Sequence, residues 1–385
     1  MHGLTIVLTL KDRPEFTRRW MGFMNDQRCP YKILIADGGA DKEIEAQLRD
    51  PSNYRNLNYE YVRYPYDNDW KDFYAKQLDV CKRVETEYLL FADNDDFYII
   101  DKIPLLIDFL ECNSDYSGCR AAIARFSLVS KSGEVMNAPV GESYRAVHHE
   151  GRSIENESGI ERIEAYFNEL VHYDHWQNWY CISRTGETVR RLEAIYRYEF
   201  RDVILNEILL LVLLLFEGKV RVMEPIGYVR QVGSSQGEAS LLAENNLLDW
   251  FVINDVFHHF NDFMVSEEIA RGENDRIRFL KAFSNFVGTW CNVCTDRYRG
   301  RSKTERVKGV FRSLLKQNGR AFQLVHGLYL RLSHPPRGTR KMRVVRIPLI
   351  ENYVLRSKTE PYCLSLGAVE SGLADSPRRE TGERK

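Results

Sequence analysis

The chain opens on an apolar, β-branched run, LTIVLTL at residues 4–10, which breaks at KDRP, residues 11–14. Apolar positions then recur at helical spacing through residues 15–24, so the pattern predicts strand, loop, helix. The unit repeats. YKILIA at 31–36 is a second strand ending in DGGAD, and Asp41 stands where it can cap a helix reaching Leu48. Residues 57–62 alternate like a third strand, and 70–84 follow as a helix. Residues 88–92 make a fourth strand, too uniformly apolar to keep an exposed face. Such alternation implies a parallel, doubly wound sheet with helices against it. Ligands of such sheets bind beyond the carboxyl ends of the strands, which here carry Lys11, Asp12, Arg13, Asp37 and residues 93–96.

From about Gly118 the pattern loosens into expected antiparallel strands at 119–129, 144–148 and 178–183, then a helix at 187–197. An apolar helix at 203–216 and a strand at 219–223 follow. The run ILLLVLLLF at 208–216 is closed on both sides by Glu207 and Glu217. It is about half the roughly 20 residues a membrane span needs, so it reads as a buried helix. Beyond Gly237 the character changes to aromatic-rich helices at 241–263, 273–298 and 302–332. The division expected is therefore 1–237, a helical region 238–366, and a polar tail 367–385 without periodicity, expected to be disordered. The chain shows no internal repeat.

With 385 residues, 44% of them hydrophobic, the chain can bury more than one ordinary core. Its 54 basic and 55 acidic residues leave a net charge of −1, so bulk charge argues for neither a nucleic-acid partner nor an acidic substrate, and no nucleic acid is expected. Eight cysteines without regular spacing, and an N-terminus running straight into a strand, fit reduced thiols in a cytoplasm. Cys291 and Cys294 have metal-like spacing but no partner pair, and read as buried thiols. Between Arg297 and Arg346 basic residues outnumber acids, interleaved with Phe311, Leu314, Leu315, Phe322 and Leu328. A solvated basic face is the default there; peripheral contact with anionic lipid at the inner face of a membrane is the alternative.

The candidate chemistry lies in FADNDDFY, residues 91–98. Carboxylates crowded at the mouth of a buried strand repel one another unless a cation neutralises them. Asp93 and Asp95, on alternating positions of an extended chain, can face one side and leave room for substrate phosphates, the mode that suits Mg²⁺ or Mn²⁺. Such an ion stabilises a departing diphosphate. The bland alternative is a solvated turn capping the segment at Asp101. Tyr98, standing where the loop needs glycine, argues against a calcium-binding helix-loop-helix site.

Four segments in order resemble the family 2 glycosyltransferases of the GT-A fold: TIVLTLKDRPEF at 5–16, IADGGAD at 35–41, KQL at 76–78 and FADNDD at 91–96. The resemblance covers about the first hundred residues. It implies an α/β, Rossmann-like mixed sheet flanked by helices, followed by the helical C-terminal region. It also implies inverting transfer of a sugar from a nucleotide diphosphate sugar to a glycan or lipid-linked hydroxyl, with Mn²⁺ or Mg²⁺ at Asp93 and Asp95. Donor contacts carried over from it are Leu10, Lys11, Arg13, Asp37, Lys76 and Asn94. Arg230, in GYVRQVGSSQ at 227–236, would meet diphosphate oxygens. Asp202, in YEFRD at 198–202, is the counterpart of the family's catalytic base, with Glu199 as the fallback. Trp176, in HYDHWQNW at 172–179, is the candidate for stacking on an acceptor sugar. The chain departs from the family pattern at Asp12, where Asn is usual, and at Ala36 and Gly39 in the second motif. The departures at Ala36 and Gly39 keep a catalytically inactive glycan-binding or scaffold protein open. A sugar-phosphate nucleotidyltransferase is a further alternative, but LKDRP at 10–14 lacks the glycine-rich loop it needs.

Overall fold

The computed structural model describes residues 3–149, 151–173, 175–233, 255–269, 272–298 and 343–355. Strands β1 (Leu4–Leu10), β2 (Lys32–Asp37), β3 (Tyr59–Arg63) and β4 (Tyr88–Ala92) pair in parallel, with β1 between β2 and β4. All of β4 is buried and nearly all of β1 and β2, because helices cover both faces. That is why these strands read as continuous apolar runs instead of alternating ones. Leu10 pairs with Asp37 and Leu8 with Ala92, so the loops after β1, β2 and β4 emerge together at one end of the sheet.

Two cores sandwich this sheet. On one face Ile6, Leu8, Ile33, Ile35 and Leu90 meet helix α1 (Pro14–Asp26), helix α2 (Lys42–Arg49) and helix α4 (Ile103–Cys112). On the other, Val7, Leu34, Leu89 and Phe91 meet helix α3 (Trp70–Lys82) and the helices α5 (Gly159–Tyr173), α6 (Thr185–Tyr198) and α7 (Val203–Glu217). Asp41 caps α2 as its position predicts, its Oδ1 accepting the Ile44 N–H at 2.9 Å. The α/β, Rossmann-like mixed sheet flanked by helices is thus observed.

Beyond β4 the sheet becomes mixed through β5 (Phe97–Tyr98), β6 (Tyr116–Val129), β7 (Ser143–His149), β8 (Ile182–Arg184) and β9 (Lys219–Gln231): β8 runs antiparallel to β4 and β6, β7 antiparallel to β6 and β5 antiparallel to β9, while β9 runs parallel to β6. With a last strand, β10 (Arg343–Val345), at the edge, the order is β10-β7-β6-β8-β4-β1-β2-β3, with β9 paired to β6 and to β5. Two strand expectations need correction. The segment expected as a strand at 178–183 is strand only over Ile182–Arg184, because a 3₁₀ turn, His175–Tyr180, takes up its first half. Conversely β9 does not stop at Met223. It skips Glu224 and Pro225 at a register shift against Ala121 and Ala122, then resumes at Ile226 and runs on to Gln231. Proline has no N–H to give a ladder, and the irregularity accommodates it.

Helices α8 (Val256–Ser266) and α9 (Glu273–Tyr298) pack Phe260, Phe279 and Phe283 onto the α5 core. The chain then returns to the sheet: β10 (Arg343–Val345) adds to β7, and α10 (Pro348–Val354) lays Tyr353 edge-on to Phe23 at 5.1 Å. The region expected as helical therefore also supplies an edge strand. The expected boundary near 238, the helix at 302–332 and the tail at 367–385 lie outside the described residues, as do most of the basic stretch and the side chains of Cys291 and Cys294.

Helix α7 is buried from Ile208 to Leu215, between the sheet and α5 and α6, which accounts for its unbroken apolar run. No described helix is long and apolar enough to cross a membrane. Leu209 is fully buried at its centre. Leu209→Ala is expected to remove about 2–5 kcal/mol of stability, lost hydration energy plus the cavity left behind; a urea denaturation midpoint close to that of the wild type would contradict this packing.

Candidate active site

The turn after β4 brings Asp93, Asp95 and Asp96 together, one carboxylate oxygen of each lying within 4.8 Å of the others. Asp95 and Asp96 are buried and Asp93 is half-buried. Burial first, and then the neighbouring charge of Asp95, raises the pKa of Asp93 and raises that of Asp96 well above the usual carboxylate range. Such a trio favours whatever supplies positive charge or protons.

Three buried tyrosines form the floor beneath it. The rings of Tyr98, Tyr228 and Tyr180 follow one another at centroid distances of 4.8 and 4.7 Å. Tyr180 donates its hydroxyl to Asp93 Oδ2, Tyr228 donates to Asp96 Oδ2, and Tyr98 donates to the Phe91 carbonyl at 2.6 Å. Asp96 Oδ1 also accepts the Gln231 backbone N–H at 2.8 Å. Both oxygens of Asp96 are thus engaged from β9, so this residue fastens the acidic turn to the far strand. Asp95 receives Arg13 Nη1 on Oδ2 at 3.3 Å, while its carbonyl accepts Arg19 Nη2 at 2.7 Å. Asn94, expected at the donor, is buried and donates to Thr17 Oγ1 at 3.0 Å.

The β1–α1 loop is strained on the acidic side of the cleft. Asp12 and Arg13 are consecutive left-handed residues, with φ of 56° and 60°. Asp12 is held by Ala40 N–H on Oδ1 at 2.9 Å and by the Tyr66 hydroxyl on Oδ2 at 3.1 Å. The Arg13 guanidinium lies 3.9 Å over the Phe16 ring while it reaches Asp95. Gly39, one of the departures from the family pattern, has a local reason: a Cβ there would stand 2.6 Å from the Asp12 nitrogen.

Several residues expected at the donor are fasteners of these loops. Asp37 accepts Gly39 N–H at 2.8 Å, the Tyr61 hydroxyl at 2.6 Å and Arg63 Nη1 at 2.9 Å. Lys76 is buried in an ion pair with Asp67 and donates to the Leu10 carbonyl at 2.8 Å, which also accepts Gly38 N–H at 3.0 Å. Lys11 is exposed, its ammonium 5.2 Å over the Tyr66 ring. Arg230 of β9 acts electrostatically on Asp93, Asp96 and Glu207.

The carboxylates expected to serve as base sit at the helix ends. Glu199 ends α6 in the left-handed conformation, with its side chain 60% exposed and 3.8 Å from Lys71. Asp202 caps α7, its Oδ1 accepting Leu205 N–H at 2.8 Å. The side chain of Trp176 lies outside the described residues. Sequence reasoning missed the tyrosine floor, Asp67 and Glu207. A signal existed for the last: a single glutamate interrupting an apolar helix beside the buried Asn206.

No known family profile matches the chain, and no curated protein sequence matches it. Among solved structures, residues 1–349 of S. aureus TarS align at 10% identity with a TM-score of 0.39, over 76% of this chain and 92% of that one. The same protein in complex with UDP-GlcNAc gives 10% identity and 0.39, over 74% and 80%; in complex with UDP it gives 10% and 0.38, over 76% and 92%. Likeness at this level assigns neither a ligand nor a residue role.

Tyr228→Phe leaves the buried Asp96 carboxylate without its phenolic donor, which is expected to cost about 1–3 kcal/mol. Chemical denaturation checks it, and an unchanged midpoint would mean that Tyr228 is not what holds the acidic turn.

Proposed function

We propose that the protein is a metal-dependent glycosyltransferase, moving a sugar with inversion from a nucleotide diphosphate sugar to a hydroxyl of a glycan or lipid-linked acceptor. The observation that carries this reading is the convergence of Asp93, Asp95 and Asp96 within 4.8 Å at the carboxyl end of β4, where parallel sheets present ligands. The donor set fits a hard cation: it is all oxygen, mutually repelling and largely buried. Asp93 and Asp95 would hold the ion, since both Asp96 oxygens already serve the fold. A bound divalent cation there offsets the charge that grows on the diphosphate leaving group.

The chain's own residues do the rest. Arg13 and Arg230, both acting on the Asp93 carboxylate, offer N–H donors to phosphate oxygens. The half-exposed Tyr66 ring, with Lys11 over it, offers a flat surface for the nucleoside beyond β1 and β2. The fasteners around Asp37, Lys76 and Leu10 hold these loops ready, so little ordering remains when the donor arrives. Trp176, on the turn before β8, is the candidate to stack on an acceptor sugar.

Calorimetry with uridine, guanosine and thymidine diphosphate sugars, with and without manganese, tests the reading. One donor class should bind, and omitting manganese should weaken it at least about tenfold, roughly 1.4 kcal/mol. Asp95→Asn should lose that manganese-dependent part while keeping its melting temperature. Neither binding nor hydrolysis of any donor by the wild type would sink the proposal.

A further inference from the structure

Glu207 is the single ionisable side chain of α7 between its capping Asp202 and its last residue, Glu217. Its place follows from the packing of that helix. The Leu214 carbonyl accepts the Ser117 hydroxyl at 2.6 Å, and the neighbouring Gly118 pairs with Ser183, which pairs with Leu89 of β4. One cavity is lined by Leu210, Leu211 and Leu214 together with Leu89 and Phe91. One turn back along this helical face, about 5.4 Å, leads from Leu211 to Glu207. Two residues forward along β4, about 6.6 Å, lead from Phe91 to Asp93. Helix and strand thus bring Glu207 level with the acidic turn, where it interacts electrostatically with Asp93 and Arg230. Among the described residues none donates a hydrogen bond to the Glu207 carboxylate, whereas Asp202 is occupied as a cap and Glu199 is turned to solvent beside Lys71.

We infer that Glu207 is the general base of the transfer, an inference that rests on the glycosyltransferase reading above. The acceptor O–H gives its proton to the Glu207 carboxylate as the oxygen forms a bond to the anomeric carbon. The bond from that carbon to the diphosphate oxygen breaks, its electron pair leaving with the diphosphate, and the proton passes from Glu207 to solvent. The groups facing Glu207 are Asp93 after β4, Arg230 on β9, Tyr74 on α3 and Tyr166 on α5. Burial is the largest influence on it: with Asp93 raising and Arg230 lowering, the carboxyl is pushed up to about 7. A base must be deprotonated to take the acceptor proton, and the Arg230 charge favours that form.

Water serves as the acceptor in the test, since it needs no knowledge of the natural one. Whichever nucleotide sugar of the panel binds the wild type is incubated with manganese, and release of the nucleoside diphosphate is followed. Glu207→Gln should bind that donor as the wild type does and melt at the same temperature, while release falls about 100- to 10,000-fold. Glu207→Asp, which keeps a carboxylate on a shorter arm, should recover part of the rate. Release by Glu207→Gln at the wild-type rate overturns the inference and leaves the transferase reading standing. So does an Asp202→Asn variant that binds donor but has lost all release while Glu207→Gln has not. A rate for Glu207→Asp no higher than for Glu207→Gln also overturns it. A wild type that binds and cleaves none of the donors overturns both readings.

Discussion

Three carboxylates share a small, largely buried volume at the mouth of β4, and their mutual repulsion in a place poor in water is the constraint around which this end of the molecule is built. Each acid is answered by a different element. Tyr180, from the turn before β8, serves Asp93; Arg13, from the start of α1, serves Asp95; Tyr228 and the Gln231 backbone of β9 serve Asp96. The unusual length of β9 follows from the same need. Had it ended at Met223, neither Tyr228 nor Gln231 would reach the turn, and Asp96 would be buried without donors, which is more costly than leaving it in water.

The β1–α1 loop beside these acids is stiffened in another currency. Two left-handed residues in succession, Asp12 and Arg13, store backbone strain that only a well-determined surrounding can hold. That surrounding includes the Ala40 N–H, the Tyr66 hydroxyl and the close approach allowed by Gly39. Deeper in, the Lys76–Asp67 pair ties the end of β1 to the loop after β3. Burial raises the pKa of Asp67 and lowers that of Lys76, so desolvation works against the pair's mutual attraction. Its contribution is to position the loops more than to stabilise the fold. A site fixed in these ways before any ligand arrives is what phosphate recognition by arginine needs.

The apolar helix α7 shows how packing and chemistry share one element. Its leucines seal the sheet from α5 and α6, and this sealing is what desolvates Glu207 and sets its carboxyl apart from the exposed acids nearby. Read along the chain, Glu207 merely closes an apolar run. Read in space, it stands one helical turn beyond the leucines that line the cavity against Phe91.

The local pattern of residues determined the four parallel strands, the helices between them, the Asp41 cap and the delivery of acids at the end of β4. Each of these depends on neighbours in sequence: periodicity marks burial, and a cap is satisfied three residues away. What the tertiary structure alone decided was partnership across long separations. Asp93 and Tyr180 are 87 residues apart, Asp96 and Tyr228 are 132 apart, and β10 joins β7 from beyond Gly237. Such pairings leave no periodic trace, because a tyrosine or a carboxylate reads the same whether it meets a partner or water. Sequence placed the acids, and the packing of distant strands settled which oxygen is tied down and which faces the cleft.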